Sequence, residues 1–134
     1  MMWISSFWIA VGGAIGSVLR FWVAEASAVA FGSEFPWGTV IANITGCFII
    51  GLFATLTGPE GRVFAGALTR QFVIIGICGG YTTFSSFSLQ TLTLLQAGDG
   101  AKAAFNVGVS VVCCLISVWL GHIAAAALNQ MNGA

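Results

Sequence analysis

Five small or polar residues recur on one face of a long uncharged segment near the C-terminus. They are separated by steps of four, three, four and four residues, and they are Asn106, Ser110, Cys113, Ser117 and Gly121. Residues at these spacings lie on one side of an α-helix. Amide and hydroxyl groups can replace part of an ion's water shell, and small polar residues also let membrane helices pack together. The spacing alone leaves two alternatives open: a face for helix packing, or one wall of an ion pathway.

A second group of candidate residues lies closer to the N-terminus. Phe84 and Phe87 are three residues apart, with Ser85 and Ser86 between them, which places the two rings on one helical face. An aromatic ring has a negative face and a positive edge, so ring edges can attract an anion without a formal charge. Asn43 also lies in an uncharged stretch and offers amide hydrogens. These residue types favour transient anion binding.

The distribution of charge indicates which elements carry these residues. Only 6% of the 134 residues are charged, 58% are hydrophobic and the mean hydropathy is +1.00. Four runs lack charge entirely: residues 1–19, 35–59, 71–98 and 103–134. Because about 20 apolar residues cross a bilayer as a helix, the sequence predicts an all-α integral membrane protein with four transmembrane helices. We expect a single four-span channel domain over 1–134, with spans at about 3–31, 37–57, 72–95 and 103–128.

Glycines mark two special places in these spans. Residues 12–16 contain a GxxxG pattern, which lets two helices approach closely. In the third span, Gly79 and Gly80 are followed by Tyr81, two threonines and several more hydroxyl residues, a composition that disfavours a helix. Within a bilayer, irregular backbone is tolerated only when it is buried in protein or lines a polar cavity. We therefore predict that the third helix is broken near residues 79–83.

The few positive charges are balanced between the two ends of the spans. Arg62 and Arg70 lie in the loop between spans two and three, whereas Lys102 and, depending on its depth, Arg20 belong to the opposite side. The positive-inside rule requires an asymmetry that this chain lacks. Two-way insertion is the expected result, and oppositely inserted copies could pair as an antiparallel dimer with a two-fold axis in the membrane plane.

Several classes of function are disfavoured by what the sequence lacks. The net charge is zero with no basic cluster, so binding to nucleic acid is not expected. There is no nucleophile–base set, metal-ligand spacing or phosphate loop, so we do not expect an enzyme.

Two alternatives to a channel are open. A small dual-topology exporter that couples protons to cations or drugs would need a central membrane carboxylate. The nearest candidate, Glu25, lies close to Arg20 near the end of its span, which disfavours this alternative. A structural subunit of a larger membrane complex is the second alternative.

Three motifs occur in an order that resembles a known family. They are Gly12-Gly13-x-x-Gly16-x-x-x-Arg20, Gly38-Thr39-x-x-x-Asn43-x-x-Gly46 and Gly79-Gly80-Tyr81-Thr82-Thr83-Phe84-Ser85-Ser86-Phe87. Together they resemble the Fluc (CrcB-like) fluoride ion channels over all four spans. The resemblance implies passive export of fluoride through the inner membrane, by a multi-pass protein surrounded by lipid, so that cytoplasmic fluoride falls.

The resemblance also implies roles for individual residues. Phe84 and Phe87 match the phenylalanines whose ring edges face fluoride, and Asn43 matches the asparagine that donates an amide hydrogen to it. Four further positions match the family's polar track, the row of polar side chains along the ion path, or its expected lining: Ser85, Ser86, Asn106 and Ser110. Arg20 matches the arginine of the aqueous vestibule.

The family works as an antiparallel dual-topology homodimer with a structural sodium ion at its centre. By resemblance, the backbone carbonyls of Gly79 and Thr82 would hold this Na⁺, which agrees with the ability of an unwound membrane helix to coordinate Na⁺. One position departs from the family pattern, because members often carry a glutamate three residues after the second phenylalanine and this chain has Gln90. We expect this substitution to change the rate of transport more than to abolish it.

Overall fold

The computed structural model describes residues 1–131, and all of its regular secondary structure is helical. The elements are α1 (Met2–Phe31), α2 (Trp37–Leu56), α3 (Ala67–Arg70), a π-helical segment (Gln71–Cys78), α4 (Gly79–Tyr81), α5 (Phe84–Gln96) and α6 (Gly100–Gln130). Four stretches are long and apolar enough to cross a membrane: Met2–Phe31, Trp37–Leu56, Ala67–Gln96 and Gly100–Gln130. The prediction of four candidate spans is confirmed, and the third and fourth are longer than expected.

Short turns with identifiable breakers connect the first span to the second and the third to the fourth, whereas residues 57–66 join the second to the third. Gly32 ends α1 with a φ of 82°, a left-handed conformation that favours glycine, and Pro36 immediately precedes α2. Gly98 has a φ of 78° in the turn before α6. These two turns share one end of the molecule, where Lys102 contacts Asp99 at 2.9 Å and Glu34 at 3.8 Å. Both connections are therefore tight hairpins.

The first and third spans pack through glycines. A Cβ atom on Gly12 would lie 2.7 Å from the Phe72 carbonyl oxygen, and one on Gly16 would clash with the backbone of Ile77. The contacts advance along both spans in the same direction, so α1 and the π-helical segment run parallel. The close approach predicted from the GxxxG pattern is confirmed, and its partner lies within the same chain.

The second and fourth spans also run parallel, in a constant register. Gly51 meets the backbone of Val118, and one helical turn further on, Thr55 Oγ1 lies 2.8 Å from His122 Nδ1. In both pairs, the residue on α6 lies 67 positions after its partner on α2 in the sequence. Because successive pairs advance by four residues on each helix, one continuous ridge of α2 faces one continuous ridge of α6.

The distribution of polarity is the reverse of that in a water-soluble protein. Large apolar side chains such as Trp3, Phe21 and Trp119 are at least 60% exposed, whereas Asn106 is only 1% exposed and Ser117 is 7% exposed. Exposed apolar surface is stable in contact with lipid, and polar groups at membrane depth need partners inside the protein. This pattern supports a multi-pass membrane protein.

Candidate functional site

A groove of about 310 Å³ lies where α2, the start of α5 and α6 meet. Its lining combines amide, hydroxyl, thiol and apolar side chains: Asn43, Cys47, Thr82, Thr83, Phe84, Ser110, Val111, Cys114 and Leu115. None of these side chains carries a full charge at neutral pH. A groove of this composition can stabilise a small ion only through dipoles, with N–H and O–H groups as donors for an anion.

Asn43 is fixed to the backbone of Thr83 by two hydrogen bonds. The Thr83 N–H donates to Asn43 Oδ1 at 2.7 Å, and Asn43 Nδ2 donates to the Thr83 carbonyl at 3.0 Å. Thr82 and Thr83 have extended dihedral angles, which frees the Thr83 N–H from the helical pattern. The Thr83 carbonyl, at the cap position of α5, accepts from Asn43 as well as from the first turn of that helix. Since a side-chain amide carries two N–H groups, the second N–H of Asn43 remains available to an ion in the groove.

Thr83 also organises the hydroxyl groups at the start of α5. As the N-terminal cap of that helix, its Oγ1 accepts the N–H of Ser86 at 3.1 Å. The same hydroxyl lies 3.3 Å from Ser85 Oγ and 3.1 Å from Ser86 Oγ. One buried threonine therefore connects Asn43 on α2 with both predicted serines.

The two phenylalanines occupy different environments. Phe84 lines the groove and is 77% exposed, whereas Phe87 is 8% exposed and does not line it. Their ring centroids are 5.2 Å apart with an angle of 49° between the planes. The structure therefore brings the predicted pair into contact and places only Phe84 at the groove of the single chain.

The polar face of α6 predicted from the sequence contacts different partners along its length. Towards the N-terminus of α6, Asn106 donates from Nδ2 to Thr91 Oγ1 at 2.9 Å, and Ser110 lines the groove. Towards the C-terminus of α6, Ser117 donates to the Ile44 carbonyl at 2.7 Å and Gly121 meets the backbone of Phe48. This face therefore packs against α2 at one end and forms a wall of the groove at the other.

Two predicted site residues lie away from this groove. Arg20 is half-buried on α1 and is not part of the lining. Gly79 is exposed at the start of α4, and a Cβ atom there would meet only the Ile74 carbonyl, at 3.8 Å. Neither placement in a single chain brings these residues to Asn43 or Ser110.

Two residues of the site, Thr83 and Thr91, were not singled out from the sequence. Thr83 precedes a helix, where a threonine is a favoured cap, and that signal could have identified it. Thr91 lies four residues after Phe87, and only its contact with Asn106 across two helices reveals its part in the polar track.

Comparison with known proteins shows which family this chain belongs to. A protein from Rhodospirillum rubrum named "Fluoride-specific ion channel FluC" is 61% identical over 122 residues, covering 91% of this chain and 95% of the relative. Proteins of the same name from Opitutus terrae and Methylocella silvestris are 58% and 55% identical, covering 94% and 95% of this chain and 96% and 97% of the relatives. The family model "CrcB-like protein, Camphor Resistance (CrcB)" matches residues 7–122. The chain therefore belongs to the CrcB-like family.

Proposed function

We propose that this protein is a fluoride-selective ion channel that lets fluoride leave the cytoplasm down its electrochemical gradient. The observation that carries the proposal is the groove of uncharged donors around Asn43, in a chain 61% identical to a fluoride-specific channel. HF crosses a bilayer as a neutral acid and dissociates inside, so fluoride accumulates in the cytoplasm. A passive channel relieves this accumulation without ATP or a proton relay.

Three of the lining groups have defined parts in the proposed pathway. Asn43 presents its free N–H, held in orientation by Thr83, and Ser110 presents a hydroxyl from the opposite wall. Phe84 lines the same space, and its ring has a positive edge that can attract an anion. A series of weak, neutral donors suits conduction, because binding must be favourable enough for the ion to enter and weak enough for it to leave. Phe87, Ser85, Ser86 and Asn106 would extend the track beyond the groove, and Arg20 would gather anions at its mouth.

The alternative of a proton-coupled cation or drug exporter gains no support. Its required membrane carboxylate would have to be Glu25, which is exposed on α1 and does not line the groove. The relatives are named as channels for an anion.

We also propose an antiparallel, dual-topology homodimer in the inner membrane, built from the single domain 1–134. The balance of arginine and lysine between the two ends supports two-way insertion. The exposure of Phe84, Val111 and Leu115 around the groove supports a second copy, because an ion there would otherwise be open to lipid. A C-terminal reporter found on one face of the membrane alone would contradict two-way insertion.

The third span would be a broken helix whose carbonyls hold a structural Na⁺ at the dimer centre. In a continuous helix the N–H of Thr83 would bond to the Gly79 carbonyl, but it donates to Asn43. Likewise the N–H of Ser86, which would bond to the Thr82 carbonyl, donates to Thr83 Oγ1. Both carbonyls are thus released from the helical pattern, and carbonyl oxygen is a suitable ligand for a hard cation. Gly79 and Thr82 therefore suit the structural Na⁺ that the family resemblance implies.

Ion efflux from liposomes tests the proposed function. We expect liposomes containing the purified protein to release fluoride and to retain chloride. Phe84→Ile and Phe87→Ile should greatly reduce fluoride release, because isoleucine has no positive ring edge. Phe7→Ile is the matched control, since Phe7 is 63% exposed near the N-terminus and does not line the groove. Equal release of chloride, or organic-cation release driven by a proton gradient, would reject the proposal.

A further inference from the structure

We propose that Cys47 and Cys114 form a two-thiol site for a soft metal ion, and that an ion bound there obstructs the groove. The effect on transport rests on the proposed function, whereas the metal site does not.

Cys47 and Cys114 lie side by side on facing helices. Both line the same groove. They are offset by 67 residues, as are the Gly51–Val118 and Thr55–His122 contacts one and two turns further along. The pairing therefore belongs to the regular packing of α2 against α6, which holds both thiols in place before any ligand arrives.

Paired thiols have a well-defined preference among metal ions. Sulfur ligands select soft ions, and ions such as Hg²⁺ or Ag⁺ accept two sulfur ligands in a nearly linear arrangement. With Hg²⁺, each thiol loses its proton, two sulfur–mercury bonds form and two protons are released. No oxidant is required, because neither sulfur nor mercury changes its oxidation state. Half-burial of both cysteines leaves them reachable from the groove.

The position of the pair explains why binding would affect transport. Cys47 lies one helical turn after Asn43, and Cys114 lies one turn after Ser110. All four residues line the same groove of about 310 Å³. A metal ion between the sulfurs would place a heavy atom in the space where fluoride is proposed to pass.

Titration of the purified protein with HgCl₂ tests the site without measuring transport. We expect tight binding of one Hg²⁺ with a near-ultraviolet metal–thiolate band. Cys47→Ser or Cys114→Ser should each weaken this binding by roughly 100-fold, since two linked ligands bind far more tightly than one. Cys113→Ser is the matched control, because Cys113 adjoins Cys114 in sequence but does not line the groove. Tight binding that survives the Cys47→Ser/Cys114→Ser double variant would overturn the site.

Efflux measurements then test the obstruction. We expect Hg²⁺ to stop fluoride release by the wild-type protein and by Cys113→Ser, and excess dithiothreitol to restore it. Each protein is compared with its own rate in the absence of Hg²⁺, and the rate of the double variant should not change when the same Hg²⁺ concentration is added. Inhibition of the double variant equal to that of the wild type would overturn the obstruction. Loss of the proposed function would be distinguishable, because untreated protein would then release no fluoride while the metal–thiolate band still formed.

Discussion

At the scale of single residues, the pairing of Asn43 with the Thr83 backbone determines what the groove can bind. The amide accepts one hydrogen bond and donates another to the same residue, so its orientation is fixed. An asparagine held in this way presents a donor without needing to reorganise when an ion arrives. Preorganised dipoles of this kind stabilise charge more effectively than freely rotating ones.

Asn43→Asp separates the donor role of this side chain from its shape. The carboxylate could still accept the Thr83 N–H, but it would have no hydrogen to donate and would repel an anion. Loss of a hydrogen bond to a charged group costs about 1.5–3 kcal/mol, which corresponds to a fall in fluoride efflux of roughly 10- to 100-fold. Thr45→Val is the control, because the Thr45 hydroxyl bonds to Ile41 and Tyr81 and does not line the groove. Wild-type efflux from Asn43→Asp would contradict the role given to Asn43.

The sequence was informative about this site where residue type alone carries the chemistry. Asn43 could be named because an amide in the middle of an uncharged span needs a polar partner, Ser110 because it lies on a polar helical face, and Phe84 because it follows the predicted break beside hydroxyl residues. The contact between Asn43 and Thr83 could not be predicted, because it joins residues 40 positions apart through backbone atoms. The different burial of Phe84 and Phe87 likewise depends on how α5 packs, which helical spacing does not specify.

At the scale of elements, the π-helical segment and its glycine contacts set the position of the third span. The eight residues Gln71–Cys78 form this segment directly before α4. A π-helix is rare beyond a single turn and often lies near functional sites. Gly76 lies against Gly12, so the wide helix packs where the neighbouring backbone has no side chain. No composition signal distinguishes a π-helix from an α-helix, and the sequence therefore predicted only a continuous helix before residue 79.

Gly16→Ala tests whether this close packing supports the fold. A Cβ atom on Gly16 would clash with the backbone of Ile77 and Tyr81. Overpacking costs roughly 1–3 kcal/mol, which outweighs the gain of at most about 1 kcal/mol in helix propensity. We therefore expect a lower Tm for the protein in detergent. Gly13→Ala is the matched control, because a Cβ there meets nothing within 4 Å, and its Tm should not fall. Equal losses of Tm in the two variants would show that the contact at Gly16 is unimportant.

At the scale of the whole molecule, the scarcity of charge connects the fold to the proposed assembly. Only four residues are Lys or Arg, and their balance between the two ends supports the proposed two-way insertion, because lysine and arginine set the orientation in the membrane. The exposed Gly79 and the released carbonyls of Gly79 and Thr82 suit a contact with a second copy through a cation. The hydropathy of the chain predicted its four spans well, but composition cannot specify which surface a partner covers.

Replacement of Na⁺ by the bulky cation N-methyl-D-glucamine tests this assembly. We expect light scattering to give the mass of a dimer in Na⁺ buffer and a smaller mass after exhaustive replacement. Fluoride efflux should fall in parallel, because the large cation cannot be coordinated by backbone carbonyls. Return of Na⁺ should restore both quantities. An unchanged mass together with unchanged efflux would count against a structural sodium ion.

The outward-facing groove has a consequence for how much protein a cell must make. Phe84 and Leu115 at its edge are 77% and 65% exposed, so a solitary chain offers an ion one wall and leaves the other side to lipid. In the proposed dimer, mass action would then govern function, because assembly depends on how often two copies meet in the bilayer. At high dilution, transport would rise with the square of the number of chains, and halving expression would remove about three quarters of the activity.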